Sequence, residues 1–301
     1  MRNLIRQIVN IIITIAVIVV NALANTLPIN GQTTGEVSDQ FDVYFVPAAY
    51  VFSIWGLIYV ALVAFTVYQA LPSQRENPRL QRMGYLYALS GVANIAWIFL
   101  WHYEQFVWTM VVMAVLLLTL IAIYLRLGIG RKRGSTAETW LVRVPFSLYL
   151  GWITVATIAN ATQLLNYLGW NGWGIAPEWW AVIMLAAATL ITLAVSFTRG
   201  DIAYVLVIVW AFAGIALKHS DTLLVSISAW VGAGIVLLSL LIGIPLRLDR
   251  LERKPVEEVG IRFPGTGDCS GPVHTGCRRS VADLLEGFVP DFIHFTIYLC
   301  Y

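Results

Sequence analysis

Residues 47–71 read PAAYVFSIWGLIYVALVAFTVYQAL, twenty-five positions without a single Asp, Glu, Lys, Arg or His. Crossing a hydrocarbon core of about 30 Å takes roughly 20 apolar residues in a helix. The run is long enough, and it lacks the alternation of a half-buried strand. A helix also satisfies its own backbone groups, which lipid cannot do for it. Seven further runs meet the same test, some narrowly: 4–23, 83–101, 106–125, 144–165, 179–197, 202–217 and 223–246, each bounded by charges, prolines or glycines. The expected fold is an all-α integral membrane protein of about eight transmembrane helices. An outer-membrane barrel is disfavoured because the runs are long and do not alternate.

Composition agrees. Hydrophobic residues make up 59% of the 301 positions and charged ones only 12%, with mean hydropathy +0.76. So few charges cannot cover the surface of a soluble domain, so the lipid bilayer is the expected partner.

Lys and Arg are retained on the cytoplasmic side of short loops, which gives an independent test of orientation. Arg2 and Arg6 precede the first run, and Arg75, Arg79 and Arg82 follow the second. Arg126, Arg131, Lys132, Arg133 and Arg143 lie between the fourth and fifth, Arg199 after the sixth, and Arg247, Arg250, Arg253 and Lys254 after the eighth. The opposite loops hold one basic residue, Lys218. Both termini are therefore expected in the cytoplasm, with the chain in the plasma (inner) membrane. The net charge of +2 is accounted for by these flanks and makes no case for nucleic acid. Arg2, Arg6 and the sequence Ala22-Leu23-Ala24 also suit a cleaved signal peptide, but the apolar stretch 8–23 exceeds the usual 7–15 residue core.

Three parts are expected: a unit over 1–170, three additional helices over 171–247, and a cytoplasmic tail over 248–301 read as loop or disorder. The first break falls at Gly169-Trp170-Asn171-Gly172-Trp173-Gly174. Cys269, His274 and Cys277 in the tail have irregular spacing and lack a second cysteine pair, so no metal site is assigned. No Asp, Glu, Lys, Arg or His lies at the centre of a run, which offers no proton relay. Phosphate-binding, zinc-helix and nucleophile-elbow motifs are all missing, so no catalytic residue is assigned and no cofactor is required.

What the first unit does carry is aromatic and amide side chains in register. Trp152, Ala156 and Asn160 are four apart and share a helix face; Asn94, Trp97 and Trp101 repeat the idea, as do Trp55 and Tyr59. Indoles and amides facing a bundle interior make a concave, mostly apolar pocket suited to a flat hydrophobic ligand. Equally, Asn94 and Asn160 can simply join helices. Trp101, Trp108, Trp170, Trp173, Trp179, Trp180 and Trp210 lie near run ends and suit interfacial anchors. Gly232, Ala233 and Gly234 allow close packing within the chain or in a homodimer.

At these same residues the sequence resembles the tryptophan-rich sensory protein and translocator protein family, also called the TspO/MBR or peripheral benzodiazepine receptor family. Residues 47–59 look like its second-helix motif, Ala93-Asn94-Ile95-Ala96-Trp97 like its third-helix motif, and residues 149–160 like its fifth-helix pattern of Tyr, Trp, Ala-Thr and Asn. The resemblance covers about residues 1–170, the family's five-helix unit, leaving three helices and the tail outside. It implies a receptor or sensor whose cavity binds a porphyrin or another flat hydrophobic molecule. Trp55, Asn94, Trp108, Trp152 and Ala156 would line that cavity, with Trp55 and Trp152 stacking on the ligand. Transport of tetrapyrroles and porphyrin breakdown are the alternatives it implies; enzymatic activity is the less favoured. Tyr167 has no Lys or Arg within the next five residues, so the family's sterol-recognition pattern is incomplete here.

Overall fold

The structure is a computed structural model describing residues 2–27, 29–132 and 134–252. All eight apolar runs are helices. They are α1 (Arg2–Thr26), α3 (Ile54–Ala70), α5 (Leu86–His102), α6 (Phe106–Leu127), α8 (Val144–Tyr167), α9 (Pro177–Arg199), α10 (Ile202–Lys218) and α11 (Leu223–Glu252). Three short helices join them: α2 (Thr34–Asp39), α4 (Pro78–Met83) and α7 (Thr136–Glu138). Six of the eight are long and apolar enough to cross a bilayer. The other two, α5 and α10, have 17 residues, about 25 Å at 1.5 Å per residue, the lower edge of a span. α11 continues through Pro245 to Glu252, past the end of its apolar run. The rest of the expected tail, with Cys269, His274 and Cys277, lies outside the described residues.

Exposed apolar side chains are the mark of a lipid-facing surface. On α3, Leu57, Val60, Val63 and Val67 all point outward, Val60 at 70% exposure. Their partners on the inner face, Ile58, Leu62 and Phe65, are buried. α8 is the central element: 78% of its apolar window is buried, against 33% for α1. It packs on α6 to one side and on α10 to the other, so the three later helices share a core with the earlier five.

With apolar lipid outside, the hydrophobic effect does little to bring helices together, and buried polar contacts supply part of the specificity. The Thr14 hydroxyl lies 2.8 Å from Thr66 and 2.7 Å from the Tyr87 hydroxyl, joining α1, α3 and α5. Gln7 donates to the Gln69 carbonyl at 2.6 Å. Each such contact contributes on average about 0.6 kcal/mol.

Alternating helices place the loops at two ends. At one, Asn3 meets Glu76, Arg126 donates to the Arg82 carbonyl, and Arg247 donates to the Gly200 carbonyl. At the other, Asn30 donates to the His102 carbonyl and Tyr44 to Glu178.

Candidate ligand-binding cavity

The site lies at the second end, where the chain approaches α3. Pro47 has no N–H to contribute, and Ala48 stays extended before a 3-10 turn, Ala49–Ser53, leads into the helix. This segment is clamped by α10. The Ala48 N–H donates to the Gly214 carbonyl at 3.2 Å, and the Trp210 indole donates to the Val51 carbonyl at 3.1 Å. Gly214 is required for that approach, because a Cβ there would run into the Val51 side chain.

Beyond the turn, Phe52, Trp55 and Tyr59 fall on one face of the chain and line a cavity of about 330 Å³. Trp97 and Ile98 of α5 close the opposite side, and Asn21 and Asn25 of α1 a third. The roof comes from Thr33, Thr34, Gly35 and Asp39, in and before α2. The lining thus combines the aromatic rings of α3 and α5 with the amides of Asn21 and Asn25 and the polar residues of the roof.

Its aromatic walls are held in place from behind. Trp55 and Tyr59 stack at 5.4 Å with planes 19° apart. Trp152, only 2% exposed, sets its edge against Trp55 and against Phe52. The Trp97 indole donates to Asn160 Oδ1 at 2.8 Å, and Asn160 Nδ2 donates to Thr109 at 3.2 Å. Trp97 also stacks on Trp101 at 5.1 Å. Two rotatable bonds on each indole are therefore fixed before any ligand arrives.

The roof is equally tied down. Thr33 and Glu36 form a reciprocal cap: Glu36 Oε2 accepts from the Thr33 N–H at 2.7 Å, and the Glu36 N–H donates to the Thr33 hydroxyl. The Thr33 N–H, then its hydroxyl, hold the Glu36 carboxyl below the usual carboxylate range. Trp101 donates to the Thr34 carbonyl, Gln163 to the Ser38 hydroxyl, and Lys218 of α10 pairs with Asp39 at 3.3 Å.

The structure sorts the sequence candidates. Trp55, Tyr59 and Trp97 line the cavity. Trp152 and Asn160 sit behind the lining and position it. Asn94 is buried and accepts from Asn21 Nδ2 at 2.8 Å, one layer below. Ala156 is partly buried and packs in the core. Trp108 stands apart: 60% exposed on the outward face of α6, it fits the anchor reading and not the lining that the resemblance implied. Trp101, by contrast, is buried and bonded to the roof, so it is no interfacial anchor. Sequence reasoning did not single out Asn21, Asn25, Phe52 or the roof. A readable signal existed for the roof, since Thr33-x-x-Glu36 is a capping-box pattern. Among the described residues no group of three or more His, Cys, Asp or Glu gathers as a metal site would require.

The family model described as "TSPO-like protein" matches residues 7–242. The chain belongs to this TSPO-like family. The match runs well past residue 170, where the sequence motifs end, and takes in α9, α10 and most of α11. For a TSPO-like chain the clamp of α10 on the approach to α3 is consistent with that extent. No curated protein and no solved structure matches the chain.

Proposed function

We propose that this TSPO-like protein is a membrane receptor or sensor that binds a flat, largely apolar molecule in the cavity between α1, α3 and α5, with tetrapyrroles the class its family resemblance implies. The observation that carries the reading is the stacked Trp55–Tyr59 pair facing the braced Trp97 across about 330 Å³. That volume lies at the lower end of the roughly 300–1,000 Å³ typical of ligand pockets. Flat walls that are already ordered lose little entropy when a planar ring slides between them. In this reading the end rich in arginine faces the cytoplasm, following the charge bias of short loops.

Titrating the purified protein with protoporphyrin while following tryptophan quenching tests the proposal. Saturable quenching is expected, with Trp55→Ala weakening it about tenfold, the order of one lost aromatic contact. An affinity unchanged by Trp55→Ala would remove the cavity assignment.

A further inference from the structure

We infer that Arg82 and Arg126, at the arginine-rich end of the bundle, hold the phosphate of one anionic phospholipid whose chains lie along the outer faces of α5 and α6. The site is on the outside of the bundle and does not depend on what the cavity holds.

The two arginines come first. Arg82 is exposed in the last turn of α4, and Arg126 is exposed in the last turn of α6. The Arg126 guanidinium donates to the Arg82 carbonyl at 3.2 Å, which fixes it beside the residue that carries the second charge. Several other cations at this end are engaged: Arg79 and Arg143 share Glu138, Arg75 donates to Gln7, and Arg247 and Arg250 close the end of α9. Among the described residues neither Arg82 nor Arg126 meets a carboxylate. Neighbouring like charges repel, and an anion held between them removes that cost. Guanidinium forks also match the oxygens of a phosphate.

What lies beside them selects a lipid over a free anion. Tyr85, at the start of α5, and Leu89 one turn further on are exposed. On α6, Val115, Leu118 and Leu125 are exposed and share a helix face with Arg126. Because α5 packs against α6, the two apolar strips run side by side away from the arginines. Leu125 to Val115 covers about 15 Å at 1.5 Å per residue, half of the roughly 30 Å hydrocarbon core and so the depth of one leaflet. The retention of arginine in short loops accounts for both residues lying at this end. It does not account for two of them standing unpaired over adjoining apolar strips, which is the arrangement that binds anionic headgroups between helices. A zwitterionic lipid fits less well, because its ammonium bears the same sign as the arginines.

The test is native mass spectrometry of the full-length protein in detergent, titrated with palmitoyl-oleoyl phosphatidylglycerol, the matching phosphatidylcholine or inorganic phosphate. One phosphatidylglycerol should bind about thirtyfold more tightly than phosphatidylcholine, from roughly fivefold for each arginine. Arg82→Gln should lose about fivefold without touching the fold, since that side chain makes no contact that stabilises it; Arg82→Gln with Arg126→Gln should bring the two lipids level. Arg75→Gln removes the same charge at the same end but beside α1, and should leave the preference intact. Equal binding of the two lipids, a preference that survives the double substitution, or one lost as readily in Arg75→Gln overturns the inference. So does displacement of the lipid by millimolar inorganic phosphate, which would make this a site for a free anion.

Discussion

At the end of the bundle that holds Arg2 and Glu252, helices approach until their backbones touch. A Cβ on Gly243 of α11 would lie 2.5 Å from the Ser196 carbonyl oxygen of α9, and Ser239 donates to Ser196 beside it. Gly130 lies against the Arg199 backbone with φ +77, a conformation that side chains resist. Arg247 and Arg250 donate to the Gly200, Thr198 and Phe197 carbonyls and so close the end of α9. Asp201, buried, accepts from Tyr124 and Ser147 and caps α10. At the opposite end α1, α3 and α5 contribute to the walls of the cavity, the loops are acidic, and residues in and before the six-residue α2 form part of its lining. One end is close-packed and basic; the other is hollow and acidic. Apart from the close contact of Gly214 with Val51, stability should therefore be most sensitive to added volume at the first end, and ligand affinity to removed side chains at the second.

Gly243→Val offers the largest effect with which to break that contrast. Backbone atoms of Ser196 cannot rotate aside, so overpacking should cost about 3 kcal/mol or more. Thermal unfolding in detergent should show a marked fall in Tm, or loss of folded protein. Gly56→Ala on the lipid-facing side of α3, where nothing lies within 4 Å, is the matched control and should change stability by about 0.5 kcal/mol or less. Equal tolerance at both sites would mean the tight end is not tight in the bilayer.

Asn160→Ala should be smaller and two-sided. It removes the acceptor of Trp97 and the donor to Thr109, at a cost of about 1 kcal/mol in stability. It also frees the Trp97 ring, so affinity for a planar ligand should fall severalfold even in protein that remains folded. A stability loss with unchanged affinity would show that Asn160 only joins α8 to its neighbours.

How much of this could be read beforehand depends on which signals survive in lipid. Runs such as 47–71 were legible because length and missing charge alone define a spanning helix, and the alternation of arginine-rich loops placed the two ends. The Trp97 and Asn160 motifs, on different helices, do meet. Which way Trp108 faces was not legible: α6 is apolar all round, so the lipid-facing and inward residues look alike. The clamp from Trp210 and Gly214 onto the start of α3 was equally hidden, since it joins residues 159 apart in sequence through backbone carbonyls that carry no residue code. The motifs end near residue 170, but the helices that brace them do not.

The smallest expected effect concerns pH. Both histidines among the described residues, His102 and His219, belong to the hollow end. His219 ends α10 with its ring edge-on to Tyr44 at 5.1 Å, and its buried Nε2 has no hydrogen-bond partner. Burial, then the neighbouring Lys218, hold its pKa below the ordinary value; Asp42 and the backbone of Val46 and Tyr44 oppose this more weakly. A folded pKa depressed for a base means that the unfolded chain takes up the proton first. The stability His219 contributes is then full above about 6.5, the ordinary value for His, and is lost as pH falls from there through the folded value. Tm should therefore drop between pH 7.5 and 5.5, and His219→Gln should flatten part of that drop. Because Arg and Lys do not titrate in this window, the loss should begin at the α2 end, visible as faster amide exchange around Tyr44 while the glycine contacts of α9 and α11 stay protected. Exchange that rises first near Gly243 would reverse the assignment of which end is the weaker.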